Sequence, residues 1–211
     1  MLNLKHFTFN PFSENTYVLY DESQRAVIVD PGCFDEHEQH MLLDFLMQKG
    51  LQPEMLLLTH AHIDHVLGNQ FVFAQWGLQP TMHLLEKTNL ERLPTYAPTF
   101  GFPPVFSPEA SAYLAAGDVV RIGEHDLEVI FAPGHSAGSI CFYHRAGGWL
   151  IGGDVLFRGS IGRTDLPGGD HATLLNAIRE QLFTLPEETV VYPGHGPATT
   201  IGYEKRHNPF F

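Results

Sequence analysis

Met55-Leu56-Leu57-Leu58-Thr59-His60-Ala61-His62-Ile63-Asp64-His65 is the stretch from which the fold is read. An apolar run of strand length ends in three imidazoles and one carboxylate within residues 60–65. A buried strand that stops in a burst of His and Asp serves a metal site better than a core. Residues two apart on extended chain point the same way, so His60 and His62 can converge on one ion. Asp64 and His65 lie past the strand end, where the chain turns toward a helix, and aim elsewhere. One segment therefore offers two half-sites, His60/His62 and Asp64/His65, and each wants a third ligand.

The rest of the chain supplies candidates of one local design. His135 follows Pro133-Gly134, Asp154 follows Gly152-Gly153, and His195 follows Pro193-Gly194, each just after a predicted strand. Glycine lets the backbone turn sharply and approach another backbone closely. These three with His60, His62, Asp64 and His65 make seven candidate ligands. That is too many for one tetrahedral ion; it suits two ions about 3.5–4 Å apart with a bridging carboxylate. Asp154 is the expected bridge, since a carboxylate has two oxygens to share. Asp30, before Pro31-Gly32, sits at the carboxyl edge of another predicted strand. His83, His125, His144, His171 and His207 lack this context and read as ordinary histidines, as Ser136 reads as a turn hydroxyl.

Outward from these points the elements follow. Strands are expected at 2–9, 15–20, 25–30 and 54–58. A helix is expected at 35–49, with Met41, Leu42, Phe45 and Leu46 as its apolar stripe, acids in its first turn and Gly50 as its C-cap. A second helix is expected from near Asp64 to Trp76, stopped by Gly77, with a short strand from Pro80 after it. Residues 94–108 interleave five prolines with Tyr96, Phe100, Phe102 and Phe106 and read as a long loop, a lid or an oligomer contact. Hairpins at 119–131 and 139–152, a helix at 171–182 capped by Asp170, a strand at 189–192 and a terminal helix complete the second half. Both halves run strands, helix, strand. The simplest architecture is α+β, two mixed sheets with outer helices, in a single domain over 1–211.

Composition narrows the function. The net charge of −12 over 211 residues argues against nucleic acid and anionic membrane surfaces as partners. The two cysteines, Cys33 and Cys141, form no metal-binding or redox pair. No apolar run approaches membrane-spanning length, so a cytoplasmic protein, monomer or homodimer, is expected.

The series Asp30, Thr59-His60-Ala61-His62-Ile63-Asp64-His65, Gly134-His135, Gly153-Asp154 and Gly194-His195 resembles the five ordered motifs of the metallo-β-lactamase fold superfamily. The resemblance implies an αββα sandwich. It also implies His60, His62 and His135 on one metal, Asp64, His65 and His195 on a second, Asp154 between them, and Asp30 behind the ligands, orienting one. Two divalent ions are implied, zinc first, with iron or manganese as alternatives.

Gly159-Ser160-Ile161-Gly162-Arg163-Thr164-Asp165 looks like the short bacterial glyoxalase II-like hydrolases, with Arg163 and Asp165 as a loop clamp. Asp154 points away from antibiotic hydrolysis, because zinc β-lactamases generally lack that bridge. The expected reaction is hydrolysis of an anionic small-molecule thioester of the hydroxyacylglutathione type. A hydroxide held between the ions would attack, with Asp64 and Asp154 as the catalytic carboxylates. Full-length members of that branch hold glutathione on a helical extension that has no counterpart in the sixteen residues after His195, so thioester or ester cleavage is the firmer expectation. The alternatives are a persulfide dioxygenase with one iron and a lactonase.

Overall fold

The computed structural model describes all 211 residues, Met1–Phe211. Two compact units divide the chain, Met1–Met82 with Glu86–Tyr113, and His83–Leu85 with Leu114–Phe211.

The first sheet takes strands in the order β1 (Asn3–Phe9), β2 (Glu14–Tyr20), β3 (Arg25–Val29), β4 (Gln52–Leu57), β5 (Pro80–His83) and β6 (Ala112–Leu114). β1, β2 and β3 pair antiparallel, then β3–β4 and β4–β5 pair parallel. The parallel pairs need crossovers, which the first unit's helices supply. α1 (Glu36–Lys49) connects β3 to β4; Asp35 accepts the Glu38 N–H and Gly50, with φ +66°, closes the helix. Its buried stripe is narrower than expected: Leu42 and Leu46 are buried, Phe45 packs partly against the core, and Met41 is exposed.

After β4 the chain does not enter a helix at Asp64. Residues Ile63–His65 form one 3-10 turn, and α2 (Asn69–Trp76) starts four residues later and ends at Gly77. The tight turn lets Asp64 and His65 face the site instead of being spaced along a helix.

The Pro/aromatic segment differs from its sequence reading. α3 (Lys87–Tyr96) runs through Pro94, and a 3-10 turn follows at Ala97–Phe100. Pro94 removes only one hydrogen bond near the helix end, and Leu90 and Leu93, buried in the core, hold the helix regardless. Phe102 and Val105 also join that core, so much of the segment is packing rather than free loop, while Phe106 stays exposed.

The second unit is built on β7 (Val119–Ile122), β8 (His125–Phe131), β9 (Ile140–His144), β10 (Trp149–Gly153), a small hairpin of β11 (Leu156–Phe157) and β12 (Ser160–Ile161), β13 (Val190–Pro193) and β14 (Thr199–Thr200). The large sheet has the order β14-β13-β10-β9-β8-β7. Its one parallel pair, β10–β13, brings two chain ends to the same edge, with Gly153 opposite Pro193. Asp154 and His195 leave the sheet from these neighbouring strand ends. α4 (His171–Ala177) is capped by Asp170 and widens into a π turn at Ile178–Leu182, burying Leu174, Ile178 and Leu182. The short α5 (Ile201–His207) follows β14. No helix is long and apolar enough to cross a membrane.

Candidate functional site

The predicted ligands fall into two sets, His60, His62, Asp64 and His65 in the first unit and His135, Asp154 and His195 in the second. In the first set the rings of His60 and His62 lie 4.7 Å apart and those of His60 and His65 4.2 Å apart, all buried. Asp30, His60 and His65 each offer a ligand atom within 4.8 Å of the others.

Asp30 is the organising group of this set. It ends β3 in a left-handed conformation, φ +49°, a strained position for a residue with a side chain. Its Oδ1 accepts the Thr59 N–H at 2.7 Å. Its Oδ2 accepts the Thr59 hydroxyl and lies 3.0 Å from His65 Nδ1. An ionised carboxylate can only accept, so His65 carries its proton on Nδ1 and keeps its lone pair on Nε2. The Thr59 hydroxyl has spent its proton on Asp30, so it accepts from His60 Nδ1, 3.1 Å away. His60 too therefore presents Nε2. One carboxylate thus sets the tautomers of two candidate ligands, His65 directly and His60 through Thr59; the protons are assigned from the acceptors the nitrogens face.

Other residues hold the backbone of the burst. The Asn10 amide donates to the carbonyls of Asp64 and Gly32, at 2.9 and 3.1 Å. Glu86, fully buried, accepts the Ala61 N–H at 2.9 Å. Glu14 lies behind His65, with Oε1 3.9 Å from Nδ1. Burial pushes the Glu14 carboxyl well above the usual carboxylate range, opposed by His65 and reinforced by Asp30.

In the second unit, His135 Nδ1 lies 2.8 Å from the Arg163 carbonyl, which fixes the proton there and again leaves Nε2 as lone pair. His135 Nε2 and His195 Nε2 each lie 3.5 Å from Asp154 Oδ2. At His135 that lone pair facing a carboxylate oxygen is an acceptor facing an acceptor, which a proton or a metal cation placed between them relieves. Close packing makes this possible. A Cβ on Gly162 would fall 1.9 Å from the Asp154 carbonyl oxygen and 3.0 Å from His135 Nδ1. Gly134, at φ +125°, passes the Leu174 backbone so closely that no side chain fits. Arg163 and Asp165 do form a clamp, two bonds of 2.7 Å, and it holds the Asp165 carboxyl down at about 2. Of the histidines read as ordinary, His83 stacks on Phe131, while His144 is buried against Trp149 with neither ring nitrogen hydrogen-bonded, and burial pushes its imidazole down.

Donor chemistry therefore fits divalent metal within each unit: neutral imidazoles with committed tautomers beside carboxylates, the mixed nitrogen and oxygen set that zinc, iron and manganese accept. The sequence reading missed Glu14, Glu86, Asn10 and the relay role of Thr59. Of these only Thr59 carried a signal, its place beside His60.

The profile of the metallo-beta-lactamase superfamily matches residues 9–195. The chain belongs to that superfamily. Among its superfamily relatives, a probable metallo-hydrolase of Bacillus subtilis, YqgX, is 40% identical over 95% of this chain and 93% of its own. The hydroxyacylglutathione hydrolase GloC of Haemophilus influenzae is 35% identical over 99% and 98%. Two solved structures superpose along nearly their full lengths. The BLEG-1 B3 metallo-beta-lactamase has a TM-score of 0.89 at 39% identity, covering 99% of both chains. TTHA1623, in a di-iron-bound form, has a TM-score of 0.87 at 38% identity, covering 98% of this chain and 100% of its own.

Proposed function

We propose that the chain is a dinuclear metal-dependent hydrolase of acyl thioesters of the hydroxyacylglutathione type. The observation that carries the metal-dependent part is that His60, His65 and His135 each set Nδ1 against an oxygen, of Thr59, Asp30 and Arg163, an arrangement that assigns Nε2 of each ring to ligation. The superfamily pattern implies His60, His62 and His135 for one ion, and Asp64, His65 and His195 for the other. Asp154 would contribute to both ions, a role supported by its Oδ2 lying 3.5 Å from both His135 Nε2 and His195 Nε2. The substrate class is supported by the GloC likeness, and a two-metal centre by the di-iron form of TTHA1623.

Bound divalent ions supply Lewis acidity and bring the pKa of water at the site near neutrality. The protein's own groups do the rest. Asp30 and the Arg163 carbonyl hold the imidazole tautomers fixed, so none of these rings has to give up a proton during turnover. Asp64 Oδ2, partly exposed and 3.8 Å from His65 Nε2, orients the attacking water and takes its proton. The Phe157 ring stands edge-on to His195, 6.2 Å away, and lines one side of it.

The test is turnover of S-lactoylglutathione, a lactone, a β-lactam and a persulfide on one metal-quantified sample. The thioester should be preferred, with two ions per chain. Alanine at His60 or Asp154 should remove metal and thioesterase activity together. Oxygen uptake with the persulfide at one iron per chain, or activity that survives metal loss, would overturn the reading.

A further inference from the structure

Glu86 belongs to no motif and lies 21 residues beyond His65, yet its carboxylate is buried against the ligand burst. Oε2 accepts the N–H of Ala61, the residue between His60 and His62, at 2.9 Å. The same oxygen accepts from Asn89 Nδ2 at 3.0 Å, a second donor that holds the carboxylate in place. Glu86 directly precedes α3, and Leu90 and Leu93 anchor that helix in the first unit's core. The hydrogen bond therefore ties the burst between His60 and His62 to a packed element. β4 has ended at Leu57 and the last bond to the neighbouring strand is Leu58 N–H to the Thr81 carbonyl, so residues 60–62 lie beyond the ladder that would set their peptide planes. The orientation of the Ala61 peptide decides where the His60 and His62 rings point, and a ring misplaced by half an ångström is a poor ligand.

We propose that Glu86 is a positioning residue that aims His60 and His62 at their metal ion through the Ala61 amide. The proposal rests on the reading of His60 and His62 as metal ligands. Its chemistry is that of a hydrogen-bond acceptor, not of a ligand or a proton carrier.

The experiment compares wild type, Glu86→Gln and Glu86→Ala, with Co(II) as the probe. Three quantities are read: Co(II) affinity by chelator competition, the visible d–d spectrum of the loaded protein, and the melting temperature of the metal-free protein. Glu86→Ala should weaken one of two Co(II) sites about 10- to 100-fold and alter its d–d band. Glu86→Gln keeps an oxygen acceptor and should restore affinity to within about threefold together with the wild-type spectrum. If Glu86→Ala lowers the melting temperature while affinity and spectrum stay at wild-type values, the role is merely structural and the proposal is overturned. A Gln variant no better than the Ala variant overturns it as well. Wild type that binds no Co(II) would instead sink the metal reading itself, and this proposal with it.

Discussion

Asn in place of Asp30 tests the tautomer argument most directly. Asp30 accepts three hydrogen bonds, from Thr59 N at 2.7 Å, from the Thr59 hydroxyl at 2.5 Å and from His65 Nδ1 at 3.0 Å. Asparagine keeps one oxygen, which must stay on the Thr59 N–H because that donor cannot turn away. Its NH₂ then replaces Oδ2 and confronts two donors. Each bond to a charged acceptor is worth about 1.5–3 kcal/mol, so about 3–6 kcal/mol is lost before relaxation. Relaxation is available: His65 moves its proton to Nε2 and accepts on Nδ1, and the Thr59 hydroxyl turns its proton toward His60 Nδ1, moving that ring's proton to Nε2 as well. The residual cost to the metal-free protein is then about 1–2 kcal/mol, a fall in melting temperature of about 2–8 °C. Metal binding must reverse both tautomers against the new hydrogen bonds, about 3 kcal/mol in total, or roughly 100-fold in Kd. Chelator competition reads the affinity, and ¹⁵N-detected imidazole spectra of the metal-free protein read the tautomers. If His60 and His65 keep their Nδ1 protons in the variant, or if affinity falls less than about threefold, one carboxylate does not govern both ligands.

Three further outcomes follow from particular contacts. Thr59→Val removes the relay hydroxyl and strands the His60 Nδ1 proton, a loss of about 1–3 kcal/mol in stability with weakened metal affinity, whereas Thr59→Ser should match wild type in both; thermal melting and chelator titration decide. Gly162→Ala should be costly although Gly162 has an ordinary φ, because its Cβ would strike the Asp154 carbonyl oxygen; about 1–3 kcal/mol of overpacking and depleted metal are expected, and wild-type melting with full metal content would show that the loop simply yields. Asp165 should titrate near 2 in carboxyl-carbon NMR, because Arg163 depresses its folded pKa. The sign follows: the clamp's stabilisation is present above the unfolded carboxylate pKa and is lost as pH falls through the folded value, so Asp165 should add nothing to the pH dependence of stability between pH 6 and 8. A midpoint near 4 would mean the ion pair does not persist in solution.

The sequence exposes the strand-end candidate ligands because their physical demands are local. A ligand that leaves a sheet edge needs a sharp turn, and the turn writes itself as Pro-Gly or Gly-Gly beside the His or Asp. Capping is local in the same way, so Asp35, Gly50, Gly77 and Asp170 mark helix ends where the backbone ends them. Tertiary competition is where the reading slips. α3 survives Pro94 because Leu90 and Leu93 gain more from burial than one helix-end hydrogen bond costs. The burst at Ile63–His65 forms a 3-10 turn that holds two donors, although helical propensity favours continuing from Asp64.

The groups that support the ligands were illegible for a different reason. Glu14, Glu86 and Asn10 act on backbone amides, carbonyls and ring backs contributed by residues far away in the chain, so nothing about their neighbours in sequence marks them. Burial is what distinguishes them, and burial of a charge or an amide is a property of the folded chain. A buried carboxylate costs several kcal/mol unless donors meet it, so it persists only where it returns something. Around residues 59–65 that return is orientation: Asp30 sets the protons of two rings, Glu86 holds the peptide between two ligands, and Asn10 holds the carbonyl of Asp64. Metal affinity in this protein is therefore expected to depend on residues that touch no metal nearly as steeply as on those that do.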